Sequence, residues 1–255
     1  HALVRRQRQM CIRDRREDYD GFAPGFDTLL REVPDSPLGF RKIDHVTNNA
    51  MSMAPIKLWM QYVLGMEQCW DIEFHTNDIT EDATTGTGLR SVVMWDPRSE
   101  LKFPVNEPLF PFFKDGQINL FVEQNRGPGI QHIALEVDNI VDAVGALRAR
   151  DVQFLKTPDI YYDLSPDRLS TQGVNTDNID HDLEVLRPLG ILIDGSPEDN
   201  YLVQIFLKDA QTAYDEPEAG PFFYELIERC GDNGFGGGNF RALFEAIERD
   251  QREDD

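Results

Sequence analysis

The chain has 255 residues, 40% of them hydrophobic, with 46 Asp and Glu against 25 Lys and Arg for a formal charge of −21. That acidity excludes the basic footprint of a nucleic-acid binder, and the apolar share supplies a core for one large domain or two modest ones. No run of about eighteen apolar residues occurs that would span a membrane; three scattered cysteines, Cys11, Cys69 and Cys230, make no disulfide framework, so a reducing cytoplasm is expected.

The opening "HALVRRQRQMCIRDRR" carries six arginines and lacks the apolar region and cleavage site of a secretory signal. It is expected to be an artefact or truncation scar rather than a basic arm. With the Pro- and Gly-punctuated "REVPDSPLGF", it sets residues 1–38 apart as an atypical segment and linker. Regular patterning starts at residue 39. "RKIDHVTNNA" predicts a strand and "PIKLWMQYVLGM" an amphipathic helix, with Pro55 near its start and Gly65 at its end. "EQCWDIEFH" is a strand, the polar loop 76–87 has no assigned role, and "GLRSVVMW" and "LKFPVNEP" form a hairpin about "DPRSE". "GQINLFVEQ" reads as a short closing strand.

Then the order restarts. "GIQHIALEV" predicts a strand and "DNIVDAVGALRARD" a helix capped by Asp138, with Ile140, Val144 and Leu147 on one face. "VQFLK" reads as a strand, followed by a polar insertion with a helix over "TDNIDHDLEVLRPLG". "GILID" and "YLVQIFLKD" form a hairpin, "PFFYELIER" closes the unit, and Asn239 caps a last helix over 239–250. Two such units, at about 39–125 and 126–232, predict an α+β catalytic domain over 39–255. Its paired βαβββ modules would curl into a half-open barrel closed by a C-terminal lid helix.

His45 and His132 occupy the same place in the two units, each on the first strand before a β-branched residue. A single strand histidine is ordinarily a core or surface residue, but two at matched positions facing one interior point to a shared ion. Alternation puts Glu225 on one face with Phe223 and Ile227, where an ionised carboxylate is costly unless a cation or hydrogen bonds compensate it. Two histidines and one carboxylate with open positions make the facial triad of non-haem Fe(II) oxygenases. His1, His75 and His181 read as surface residues. Gln117, Gln131 and Gln204 each fall among apolar neighbours in a predicted strand and would suit a polar substrate if they converge. "GDNGFGGGNF" lacks both the Gly-Lys-Ser/Thr ending and Rossmann spacing, so it is not read as a phosphate loop. Its glycines would instead let Phe235 and Phe240 approach core or ligand closely.

"IDHV", "GLRS", "FPVNEP", "GIQHIAL", "YLVQIF", "FFYELIER" and "GFGGGNFRALFEAIERDQ" resemble the catalytic domain of the 4-hydroxyphenylpyruvate dioxygenase family, of the vicinal oxygen chelate fold. The similarity runs from about residue 22 to 252. It implies that His45, His132 and Glu225 bind Fe(II), and that Ser91, Asn106, Gln117, Gln131 and Gln204 face the substrate. Phe206, Phe235 and Phe240 would shape the pocket and lid, and Gln117, Gln131, Gln204 and Asn239 would serve catalysis. The implied reaction, in tyrosine catabolism, converts a 2-oxo acid, 4-hydroxyphenylpyruvate, and O2 to homogentisate and CO2; a homo-oligomer is expected. The alternatives are a 4-hydroxymandelate synthase-type oxygenase and a non-catalytic remnant that binds metal or ligand. Two departures stand out: the family's N-terminal domain of similar fold has no counterpart here, and its lid helix continues beyond "QREDD".

Overall fold

The alternating segments form one eight-stranded sheet in the computed structural model, which describes residues 37–75, 88–109, 116–174, 176–197 and 200–239. The basic N-terminal segment, the loop 76–87, Phe240 and all of the expected lid helix but Asn239 lie outside the described residues.

β1 (Phe40–Asn49) leads into α1 (Ala54–Trp59), which continues as a π-helical turn (Met60–Leu64) and stops at Gly65 with φ 73°. A left-handed residue there suits glycine, which has no Cβ to clash. β2 (Glu67–His75), β3 (Gly88–Asp96) and β4 (Leu101–Pro108) complete the first unit. After α2 (Gln117–Gln124) the second unit runs β5 (Gly129–Val137), α3 (Ile140–Arg148), α4 (Asp159–Thr171), α5 (Leu183–Leu189), β6 (Leu192–Gly195), β7 (Tyr201–Phe206), α6 (Ala210–Tyr214) and β8 (Phe223–Cys230).

The sheet order is β2-β3-β4-β1-β5-β8-β7-β6. β1 and β5 run antiparallel at the centre, β4 lies parallel to β1, and β8 lies parallel to β5. Each unit thus returns its last strand beside its first, so the two βαβββ patterns are related across the β1–β5 seam, and the sheet curls into a half-barrel. α3, α4 and α5 cover the outer side of the second unit, where Ile140, Val144, Tyr161, Leu169 and Leu186 pack with Ile193, Val203 and Ile205. β7 is buried at every position because both of its faces are covered.

Four local expectations are corrected. Residues 117–124 are helix, not strand: Ile118 and Phe121, three apart, are the buried pair, and Leu120 is exposed. "VQFLK" makes only an isolated bridge, Phe154 to Leu207. The cap of α3 is Asn139 rather than Asp138, its side chain accepting from the Asp142 N–H at 2.9 Å. The insertion also holds the unforeseen α4, which has Pro166 in its interior, while α5 begins only at Leu183, capped by Asp182.

Candidate metal centre

In register, His45 on β1 stands opposite Ala134 on β5, and Ala134 stands opposite Glu225 on β8. These three side chains form one row across the sheet. His132, two residues before Ala134, points to the same face. Ala134 is fully buried and contributes only a methyl, so nothing bulky separates His45 from Glu225. The three polar side chains are themselves 2–4% exposed. Glu225 Oε2 lies 3.5 Å from His45 Nε2 and 3.2 Å from His132 Nε2.

The opposite ring nitrogens are held from outside the cavity. Asp44 Oδ1 is 2.7 Å from His45 Nδ1, and Gln131 Oε1 is 3.1 Å from His132 Nδ1. Asp44 and Gln131 are repeat-equivalent, each preceding its histidine, and both turn Nε2 toward Glu225. Asp44 also accepts a bidentate pair from Arg229 at 2.6 and 2.7 Å. Arg229 in turn donates to the carbonyls of Asp232 and Gly234, fixing the turn that leads to Phe235. Neither Asp44 nor Arg229 was anticipated as part of the site. The signal available was the matched "IDH" and "IQH", which puts a polar residue before each histidine.

Burial pushes the Glu225 carboxyl up, but the charge of His45 and the closeness of both imidazoles outweigh it and hold the group at about 2. Burial lowers His45, yet Glu225 and Asp44 outweigh that and raise it. Burial dominates at His132 and lowers it. Asp44 is also pushed up by burial, and Arg229 and His45 more than reverse this, leaving it well below the usual carboxylate range. Glu225 is therefore held ionised by positive charge beside it, and a bound cation would supply that charge in place of a proton on His45.

Among the described residues His132 Nε2 is buried with no aligned hydrogen-bond partner, despite its short distance to Glu225. Buried polar atoms are rarely left so. A cation bound at about 2.1 Å by all three groups would set neighbouring ligand atoms about 3 Å apart, close to the spacing seen. The residues present fit an ion with nitrogen and carboxylate preference and open positions, the ligand set of mononuclear non-haem iron.

A cavity opens in front of the three groups. Leu89, Pro104 and Ile72 give it apolar walls, Ser91 and Asn106 add polar groups, and Phe235 and Trp70 close one side. Ser91 and Asn106 are direct cross-strand neighbours, and Asn106 Nδ2 donates to Asn49 Oδ1 at 2.9 Å. Phe235 meets His45 edge-on at 5.3 Å, and Phe223 stacks on His132 at 4.9 Å. Phe206 stands opposite Glu225 on β7, its ring 6.2 Å from His132.

The glutamines do not converge. Gln204 is buried under the backbone of Gly236, where a Cβ would lie 2.7 Å from its amide. Gln117 is exposed at the start of α2 and lines, with Gln131, Leu207 and Phe223, a separate, open cavity. The glycine run has a packing cause: a Cβ at Gly237 would press on Trp70 and Ile72, and one at Gly238 on Gln172 and Asp194. Asn239 is buried, its Oδ1 accepting from the Tyr161 hydroxyl at 2.6 Å. His75 is exposed as expected, whereas His181 is half-buried in a cluster of its own.

Residues 42–165 match the family model of the Glyoxalase/Bleomycin resistance protein/Dioxygenase superfamily. The chain is 39% identical over 243 residues to 4-hydroxyphenylpyruvate dioxygenase of Dictyostelium discoideum, covering 92% of this chain and 62% of that protein. It is 39% identical over 238 residues to the 4-hydroxyphenylpyruvate dioxygenase of Danio rerio, covering 90% and 55%. The chain thus spans little more than half the length of these curated relatives. Among solved structures, a triple mutant of 4-hydroxymandelate synthase from Streptomyces coelicolor matches with a TM-score of 0.64 and 30% identity, covering 82% of this chain and 55% of that one. A fusion of a xylose isomerase-like TIM barrel with 4-hydroxyphenylpyruvate dioxygenase matches at TM-score 0.57 and 21% identity, covering 83% and 30%, a likeness of fold.

Proposed function

We propose that the chain, which matches the glyoxalase/bleomycin resistance protein/dioxygenase superfamily model over residues 42–165, is a member of that superfamily and a 4-hydroxyphenylpyruvate dioxygenase using Fe(II). The observation that carries this reading is the buried His45, His132 and Glu225 set, with an unpartnered Nε2, at the floor of an apolar cavity. The identity to proteins of that name over nine-tenths of the chain supports the substrate and the product.

His45, His132 and Glu225 would hold the iron from the sheet side and leave the cavity side to substrate. Bound iron supplies the oxygen-activating, bond-breaking chemistry. The chain's own residues do the rest. Asp44 and Gln131 fix both imidazoles in the tautomer that presents Nε2. Leu89, Pro104 and Phe235 form a dry slot for an aromatic ring, and Ser91 and Asn106 offer hydrogen bonds to its polar end. Phe206 and Phe223 keep water from the back of His132. Gln204, propped by Gly236, and Asn239, held by Tyr161, stand behind this wall as positioning groups. The reading extends to Phe240 by resemblance but not to Gln117, which lines the separate cavity, and it assigns the reaction to tyrosine breakdown in the cytoplasm. A homo-oligomer is supported by the exposed Leu58, Trp59, Tyr62 and Val63 around the end of α1.

The 30% identity to 4-hydroxymandelate synthase favours a second product from the same substrate. One experiment separates the outcomes. Chelator-stripped protein is reloaded with Fe(II) without air, mixed with 4-hydroxyphenylpyruvate and oxygen, and followed by oxygen uptake and chromatography. Homogentisate is expected; 4-hydroxymandelate would shift the assignment to the second reading, and no oxygen uptake would leave a binding remnant.

A further inference from the structure

β8 carries a second cluster of donor atoms on the face opposite the iron ligands. Alternation turns Glu225 and Ile227 into the half-barrel and Glu228 and Cys230 outward. His181, on the connection between α4 and α5, meets them there. Its Nε2 is 3.4 Å from Glu228 Oε2, and Cys230 Sγ is 3.9 Å from Glu228 Oε1. The three donor atoms all lie within 4.8 Å of one another, and each residue is partly buried. Their surroundings hold them in place. His181 Nδ1 lies 3.0 Å from the Tyr201 hydroxyl, and Glu228 Oε2 also accepts from the Ile140 N–H at 2.7 Å. Gly231, with φ +99°, turns the chain directly after Cys230 at a point where a Cβ would strike Asn200 at 2.5 Å.

We propose that His181, Glu228 and Cys230 form a second, structural metal site that takes a zinc-type divalent ion and is independent of the iron centre. The donor set selects the metal: a thiolate with an imidazole suits zinc, and magnesium and calcium prefer oxygen alone. The spacing agrees. Zinc with bonds of about 2.1 Å to nitrogen and oxygen and about 2.3 Å to sulfur puts tetrahedral ligands about 3.4 Å (N to O) and about 3.6 Å (S to O) apart. A solvent molecule would complete the four. The ion would pin the α4–α5 connection to the outside of β8. In the metal-free protein, hydrogen bonds to Cys230 and Glu228 raise His181 to about 9, so a proton holds the ion's place and binding weakens as pH falls.

The test uses the full chain, stripped by chelator and titrated with Co(II) while the near-ultraviolet spectrum is followed. Cobalt bound to a thiolate gives a charge-transfer band that the His45, His132 and Glu225 set, which has no sulfur, cannot give. Wild type is expected to show one equivalent of cobalt with this band, displaced by Zn(II), and a further equivalent without it. Cys230→Ser should lose the band and keep the other equivalent. Glu228→Gln should weaken the banded equivalent about tenfold or more. Cys69→Ser should leave it unchanged, and Zn(II) should raise the unfolding temperature of wild type but not of Cys230→Ser. Absence of a thiolate band in wild type, or a band that survives in Cys230→Ser, would overturn the proposal.

Discussion

Asp44 does not line the cavity in front of the three proposed ligands, yet two groups depend on it: His45 through Nδ1, and Arg229 through two hydrogen bonds. Replacing it with alanine leaves the Arg229 guanidinium, 10% exposed, with only the Asp232 and Gly234 carbonyls. Breaking one side of a buried ion pair costs about 3–5 kcal/mol, and the remaining carbonyls put this case toward the lower end. Asp44→Asn keeps an acceptor for His45 and part of the pairing with Arg229, so the stability loss should shrink to about 1–2 kcal/mol. Iron affinity should still fall about 10–100-fold, because a carboxylate fixes the ligand tautomer and raises its basicity. The double variant Asp44→Ala/Arg229→Met removes both charges and should recover most of the stability while staying weak for iron. Urea unfolding of the metal-free proteins measures the first quantity and anaerobic Fe(II) titration the second. Wild-type iron affinity in Asp44→Asn, or a double variant no more stable than Asp44→Ala alone, would refute the reasoning.

His45→Ala, His132→Ala and Glu225→Ala should each abolish stoichiometric Fe(II) binding, whereas His75→Ala should retain it; normal iron content in His132→Ala would sink the ligand set. Gly236→Ala strains a residue at φ +63° by about 1–2 kcal/mol and pushes on the Gln204 amide, so turnover should drop while iron content holds. Equal loss of both would mean the loop supports the whole centre instead. A pH test follows from His181, whose folded value of about 9 lies above its unfolded 6.5. Its stabilisation is complete below 6.5 and is lost as pH rises through about 9. With chelator present, wild type should lose about 1 kcal/mol relative to His181→Gln across that window, the rest of the shift being screened at a partly exposed pair; a constant difference between the two would dismiss the His181–Glu228 pair as a contributor.

The residues most legible in the sequence were those whose cause is local or repeated. Strand alternation shows which side of β5 His132 shares with Ala134, and the two matched segments by themselves pair His45 with His132. Glu225 stood out because a carboxylate in an apolar strand demands compensation. What escaped had non-local causes. In "QINLFVEQ" apolar and polar residues fit both periods, and only packing of Ile118 and Phe121 decides for helix. In α4 the polar face and Pro166 hide a helix held by Tyr161, whose hydroxyl accepts from the Ile193 N–H, and by Tyr162, whose hydroxyl donates to the Ile191 carbonyl. Asp44 finds Arg229 185 positions away, a separation no local pattern reveals. Gln117, grouped with Gln131 and Gln204 on the premise of a strand, moves out of the cavity once that segment is helical.

The repeat also explains why the carboxylate of the proposed ligand set comes from one unit alone, although each unit supplies a histidine. The β1–β4 register sets His45 opposite Lys102, and by the same offset Thr47 opposite Pro104; the β5–β8 register sets His132 opposite Phe223 and Ala134 opposite Glu225. Pro104 therefore occupies in the first unit the place that Glu225 holds in the second. A carboxylate at both places would bring a second negative charge to an interior that already carries one, at a steep desolvation cost. Proline instead presents an apolar wall with no charge to compensate, and it does so in β4, where Leu89 and Ser91 of β3 can face the same space. In the second unit the corresponding room is filled by Phe206 and Phe223 against His132. On the proposed reading, His132 and Glu225 hold the ion beside this filled room, and substrate approaches from the β3–β4 side. Exchanging Pro104 for glutamate should raise divalent-ion affinity, by adding a fourth donor, and suppress turnover, by closing the face that the substrate needs. Metal titration and oxygen uptake on Pro104→Glu check both halves, and a variant that still turns over at the wild-type rate would show that substrate does not enter from the β3–β4 side.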